Sequence, residues 1–259
     1  MSTPAKLKKQ IQKRNDQTDA DLTRFQQHLG EFLKKNLRKI LRGIETGDVS
    51  QQDAARALGG VLTSLRSAGL SQVLSEVSQL YGREMTRIQD FYEAHTGKAF
   101  QFTDSDRTVV QTLIGFEVDQ IANNIDTYAN ELRKQIFQQV IAGAKPDISS
   151  LVDSTVERST GQINTDLNTS MAGFTRSINL AKGAEQGFER YLYSGGLIET
   201  SREFCIERDG KVFTIEEIQN WDNGQGLPAD VYLGGYNCRH ELLPVDDEIL
   251  AGLGIEDEG

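Results

Sequence analysis

Between residues 70 and 140 apolar side chains recur at steps of three and four, and this spacing limits the possible folds more than any other feature of the chain. Leu70, Val73, Leu74, Val77, Leu80, Tyr81, Met85, Ile88, Phe91 and Tyr92 fall on one stripe of an α-helix. Gly97 closes that stretch, and Asp104 is placed to cap a second helix. The second stripe runs through Val110, Leu113, Ile114, Ile121, Ile125, Tyr128, Leu132, Ile136 and Val140. A helix of ~38 residues is ~57 Å long. That exceeds what a compact domain usually holds, so the spacing predicts a hairpin or an elongated bundle with neighbours along its length.

Upstream, Leu33, Leu37, Ile40, Leu41 and Ile44 form a shorter stripe, Gly47-Asp48 interrupts it, and Leu58, Val61, Leu62 and Leu65 resume it. Gly143 and Lys145-Pro146 end the second long helix, because proline cannot continue the hydrogen-bond ladder. Residues 147–182 are rich in Ser, Thr, Asn and Asp but keep Ile148, Leu151, Val152, Val156, Ile163, Leu167, Met171, Phe174 and Ile178 at helical steps. Two helices are expected there, with a break near Gly161 and a stop near Gly183.

After Gly187 the texture changes. Phe188 to Gly196 has the aromatic and aliphatic content of a strand ending in a turn. Lys211-Val212-Phe213 follows the turn pair Asp209-Gly210 and reads as a second short strand in a hairpin. Thr214-Ile215-Glu216-Glu217 is a capping box opening a short helix that contains Ile218 and Trp221, the latter a core plug for a small module. The chain thus divides into a helical region over 1–143 with a basic N-terminal arm, a module over 144–245, and an acidic, solvated tail over 246–259. The fold class is mainly α, with an elongated helical N-terminal region and a small α+β C-terminal module.

Both cysteines, Cys205 and Cys238, lie in that module, and His240 stands two residues beyond the second. Two cysteines in 259 residues exclude a disulfide-rich secreted scaffold. Cys205, Cys238 and His240 supply three soft or borderline ligands, where structural zinc usually takes four. Asp209 or Glu241 could add an oxygen. A Cys205–Cys238 disulfide would close a loop and contribute roughly 3–4 kcal/mol. Two buried reduced thiols packing as small hydrophobes are the third alternative. A cysteine nucleophile served by His240 is a further chemistry, but no third residue is placed to orient the imidazole. The paired histidines of a His/Asn nuclease are missing, and His28 and His95 stand alone on helical segments.

Three short stretches carry a resemblance: Ser201-Arg202-Glu203-Phe204-Cys205, Asp209-Gly210-Lys211-Val212-Phe213, and Gly234-Gly235-Tyr236-Asn237-Cys238-Arg239-His240. Together with the polar lead-in from Thr165 to Arg176, they resemble the C-terminal module of the phage head morphogenesis family, the Mu F-like minor head proteins, over roughly residues 147–245. Many members carry a second cysteine three positions after the first, where this chain has Arg208, and close on Cys-Arg-Cys where it has Cys238-Arg239-His240. The resemblance implies a structural minor head protein acting at or near the portal inside the procapsid. It implies portal or capsid proteins as partners, several copies per particle, and residence in the virion after assembly in the host cytoplasm. Arg202, Asp209, Gly210, Gly234, Gly235, Asn237 and Arg239 are then expected to anchor the fold, and zinc is the cofactor to consider. The alternatives are a catalytic or toxin-like C-terminal domain delivered with the virion, and a genome-contacting packing protein. The expectation is that the chain is not an enzyme.

Charge bears on the last alternative. Residues 1–42 hold eleven Lys/Arg against four Asp/Glu, or +7, so the rest carries −17 of the net −10. A basic segment on an acidic body suits weak, non-specific contact with DNA phosphates, or simply a solvated helix face. No apolar run approaches the roughly 20 residues that span a bilayer, so no membrane partner is expected. The basic N-terminus has no apolar segment behind it and is not expected to be a secretory signal.

Overall fold

The computed structural model describes residues 4–45 and 50–255. The chain is 72 % helical, with long helices first and a small region containing a three-stranded antiparallel sheet after them. In order the elements are α1 (Pro4–Glu45), α2 (Gln51–Gly59), α3 (Val61–Ser67), α4 (Leu70–Leu74), α5 (Glu76–Thr96), α6 (Asp104–Ile141) and α7 (Ile148–Glu185). Then come β1 (Arg190–Ser194), α8 (Glu203–Ile206), β2 (Val212–Thr214), α9 (Ile215–Gln219), α10 (Ala229–Tyr232), β3 (Glu241–Val245) and α11 (Asp247–Leu253). No helix among the described residues is long and apolar enough to cross a membrane.

Two compact units are assembled from separated stretches. One gathers the chain up to Asp21, Tyr81–Arg107 and everything from Thr165; the other gathers Leu22–Leu80 and Thr108–Asn164. The second unit is a helical bundle. Leu22, Phe25, Leu29, Leu33, Leu37, Leu41 and Ile44 of α1 are buried at three-four spacing. Leu33, Leu37, Leu65, Ile125 and Val156 line a single small void, so α1, α3, α6 and α7 meet there. The predicted stripes are buried as expected: Val77 and Ile88 are fully inaccessible, and Ile121 and Leu132 nearly so. Val109, Phe116, Phe137 and Ile141 of α6 are exposed.

Several boundaries differ from expectation. The stretch read as one helix from residue 70 is two, α4 and α5, separated at Ser75. The stretch read as two helices around Gly161 is one, α7. A glycine inside a helix costs about 1 kcal/mol, and here the buried stripe Val156, Ile163, Leu167, Met171 and Phe174 stays in phase across it. The Gly47-Asp48 break lies outside the described residues. Gly143, at φ +72°, lies with Lys145-Pro146 in the link between α6 and α7.

In the first unit the sheet order is β2-β1-β3. Tyr191 is opposite Phe213 and Pro244, Leu192 is opposite Val212 and Leu243, and Tyr193 is opposite Leu242. Alternation along the strands sends these pairs to opposite faces. Leu192, Leu243 and Val245 cluster with Leu7 and Ile11 of α1 and with Leu250 and Leu253 of α11. Tyr191, Tyr193 and Leu242 cluster with Cys205, Ile218, Leu233 and Cys238, flanked by Phe204, Phe213 and Trp221. With both faces covered, β3 is buried along its whole length.

This packing corrects three expectations. The acidic segment after residue 245 is not simply a solvated tail, since Asp246 caps α11 and Leu250 and Leu253 are buried; residues 256–259 lie outside the described residues. The basic N-terminal segment is not a loose arm, since Leu7 and Ile11 belong to the sheet's core. Asp209-Gly210 does not close a two-residue hairpin, because α8 lies between β1 and β2. Gly210, at φ +86°, instead starts the approach to β2, its N–H donating to the Tyr193 carbonyl at 2.8 Å.

Candidate functional site

Cys205, Cys238 and His240 come from two stretches more than thirty residues apart and converge beneath the β1 tyrosines. The one-turn helix α8 presents Cys205. The other two follow a tight loop, Leu233 to Asn237, in which Leu233, Gly235 and Asn237 all have positive φ. Asn tolerates that region and glycine has no Cβ to oppose it. Leu233 is held there by a hydrogen bond from the buried Asn223 amide to its carbonyl, 2.8 Å. Gly234 packs directly on the cluster: a Cβ there would lie 2.4 Å from Cys205 Sγ. Gly195 is equally confined, with a Cβ falling 2.7 Å from the His240 Cα.

The geometry is compact. Cys205 Sγ and Cys238 Sγ are 3.9 Å apart, and Cys238 Sγ is 3.8 Å from His240 Nδ1. The three ligand atoms all lie within 4.8 Å of one another, and all three residues are buried. Both cysteines are free thiols, and their separation is almost twice the ~2.05 Å of a disulfide. Cys238 is held far below the ordinary thiol range, first by a hydrogen bond from Cys205 and then by His240 and the Arg176 charge. Cys205 moves the opposite way, through that same hydrogen bond and through burial. His240 Nε2 is buried without a hydrogen-bond partner among the described residues, and the buried Tyr193 hydroxyl lies beside Cys205.

The residues expected to anchor the fold make contacts of different kinds. The Asp209 side chain is 7 % exposed and receives Lys8 Nζ at 2.8 Å and the Gly196 N–H at 3.3 Å, and its Oδ1 lies 3.9 Å from His240 Nε2. Arg202 donates to the Tyr236 carbonyl at 3.0 Å, and Arg239 pairs with Asp19 of α1. The Asn237 N–H donates to Thr169 Oγ1 at 3.2 Å. Glu241, the other oxygen considered for a metal, is drawn elsewhere: it pairs with the buried Arg14. Burial pushes its carboxyl above the usual range, opposed by the charges of Arg14 and Arg176.

The residue that sequence reasoning missed as a site component is Arg176. Its guanidinium is 1 % exposed and donates to three carbonyls, those of His240 (2.8 Å), Cys238 (2.6 Å) and Val231 (3.1 Å). Periodicity gave no signal for it, because a residue two after Phe174 and two before Ile178 falls on the opposite side of α7 from their stripe. Trp221 is only partly buried and meets Phe213, Phe204 and Tyr193 edge to face. Of the isolated histidines, His28 is exposed beside Glu76, and His95 donates Nε2–H to the Pro244 carbonyl at 2.9 Å. Compared with protein-family models, curated proteins and solved structures, the chain matched none of them.

Proposed function

We propose that the chain is a structural minor head protein of a phage, acting at or near the portal inside the procapsid in several copies per particle. The observation that carries this reading is the behaviour of the resemblance-bearing residues. Arg202 and Cys205, Asp209 and Gly210, and Gly234 to His240 lie on three separate stretches, yet Cys205, Cys238 and His240 meet in one buried cluster, with Asp209 beside the imidazole, Arg176 behind it, and Arg202 on the Tyr236 carbonyl at the exposed edge. Residues that meet in this way serve the module's own cohesion, which suits a scaffold component. The sulfurs and the imidazole are each about 5 % exposed or less, so a nucleophilic role would require a substrate to enter a closed core. That weighs against the catalytic or toxin-like alternative.

Contact with the genome is a subsidiary reading. Of the basic residues in 1–42, Lys8 is engaged by Asp209, Arg14 by Glu241, and Lys34 and Arg38 by Asp153. The exposed Lys9, Lys13, Lys35 and Lys39 remain suited to weak, salt-sensitive phosphate contacts. The test is quantitative mass spectrometry of particles purified from cells carrying the genome that encodes the chain. A fixed number of copies per particle is expected, with heads failing to mature when the gene is deleted. Normal particles that never contain the chain would overturn the reading.

A further inference from the structure

We propose that Cys205, Cys238 and His240 form a three-ligand Cys₂His centre for a zinc-class divalent ion, completed at the fourth position by a water molecule. The inference rests on geometry and does not depend on the phage-head reading. Tetrahedral zinc, with Zn–S near 2.3 Å and Zn–N near 2.0–2.1 Å, places its sulfurs about 3.8 Å apart and sulfur about 3.6 Å from nitrogen. The Cys205–Cys238 and Cys238–His240 separations are 3.9 and 3.8 Å. Two edges of the triangle therefore already match, and the third, within 4.8 Å, closes by side-chain rotation of Cys205. A disulfide would instead require the sulfurs to approach by nearly half their present separation.

The surroundings fit an ion as well. His240 presents Nδ1 to the sulfurs and turns Nε2 towards Asp209 Oδ1, 3.9 Å away. Metal-bound histidines usually donate the far nitrogen to a carboxylate, which fixes the ring and raises its basicity. Asp209 is itself held by Lys8 and the Gly196 amide. The buried Tyr193 hydroxyl lies beside both sulfurs and supplies a donor to the bound water. Arg176 fixes the carbonyls on either side of Arg239, so the Cys-x-His turn is rigid before any ion arrives. Two thiolates and an imidazole are soft and borderline donors, which favour zinc over magnesium or calcium.

The test uses the full chain, purified under reducing conditions, stripped with chelator and titrated with zinc and with cobalt(II). One equivalent should bind, and cobalt should show thiolate charge-transfer absorption together with the visible bands of a tetrahedral site. Cys238→Ser and His240→Ala should each abolish that spectrum. Should either fail to fold by circular dichroism, Asp209→Asn keeps all three ligands. It should retain the cobalt spectrum while weakening affinity roughly 10–100-fold. A chain that unfolds on stripping and refolds with one equivalent of zinc supports the proposal equally. A folded, fully reduced wild-type chain that binds neither ion overturns it, as does cobalt binding that His240→Ala leaves unchanged. None of these readouts involves particles, so failure here is distinct from failure of the head-protein reading.

Discussion

Arg176 Nε donates to the His240 carbonyl at 2.8 Å, across 64 residues of chain and in a fully buried setting. With its other two nitrogens on the Cys238 and Val231 carbonyls, this one side chain satisfies three main-chain acceptors of the closing loop. Each buried acceptor left unpaired costs about 1–3 kcal/mol. Arg176→Ala should therefore lower stability by roughly 3–9 kcal/mol. Arg176→Lys should recover little of that, because an ammonium cannot serve three diverging acceptors as a planar fork does. Denaturant unfolding checks this: the midpoint should fall with the slope unchanged.

Two glycine substitutions should act in opposite directions. Gly161 is exposed within α7 and a Cβ there meets nothing within 4 Å, so Gly161→Ala should stabilise by about 1 kcal/mol. At Gly234 the same methyl would collide with Cys205 Sγ, and Gly234→Ala should cost roughly 1–3 kcal/mol. Thermal melts of the two variants beside the wild type would decide. A Gly234→Ala protein as stable as the parent would mean that the loop does not press on the sulfurs.

His95 should make the protein sensitive to mild acid. Burial lowers its pKa from 6.5, outweighing the hydrogen bond to the Pro244 carbonyl and the nearby Asp246 charge. The neutral ring is thus favoured in the folded state, and the unfolded chain takes up the proton first. The stabilisation is complete above pH 6.5, declines as pH falls below that value, and is lost once pH passes below the folded pKa. Melting temperature measured between pH 7.5 and pH 5 should fall over this window. In His95→Gln, which carries no ionisable ring, that part of the slope should disappear.

The two faces of α1 should separate experimentally. Ile11 is fully buried against Leu192, Leu243 and α11. Ile11→Ala should cost roughly 2–5 kcal/mol and leave any DNA retention on a folded sample intact. Replacing Lys9 and Lys13 with Gln should do the reverse: an unchanged melt, with weaker DNA binding and a shallower salt dependence. DNA binding insensitive to those lysines would assign the basic surface to a protein partner.

Local order was legible in the amino-acid sequence because its causes are local. Three-four spacing selects helix wherever it persists, and Thr214 with Glu217 forms the capping box that their separation by three implies. The cluster of Cys205, Cys238 and His240 was legible as residue types, with His240 two residues beyond Cys238. What only the tertiary structure decided are the contacts with no local signature. Lys8 meets Asp209 across 201 residues, and Leu7 and Ile11 cover a sheet built from the far end of the chain. α7 runs on through Gly161 because burial along its stripe outweighs a weak local preference. Arg176 turns inward because three carbonyls of a distant loop need donors, a demand that exists only once that loop has closed. Side-chain chemistry along the chain sets which helices and strands can form; which charged residue is taken into the core depends on partners that folding alone brings within reach.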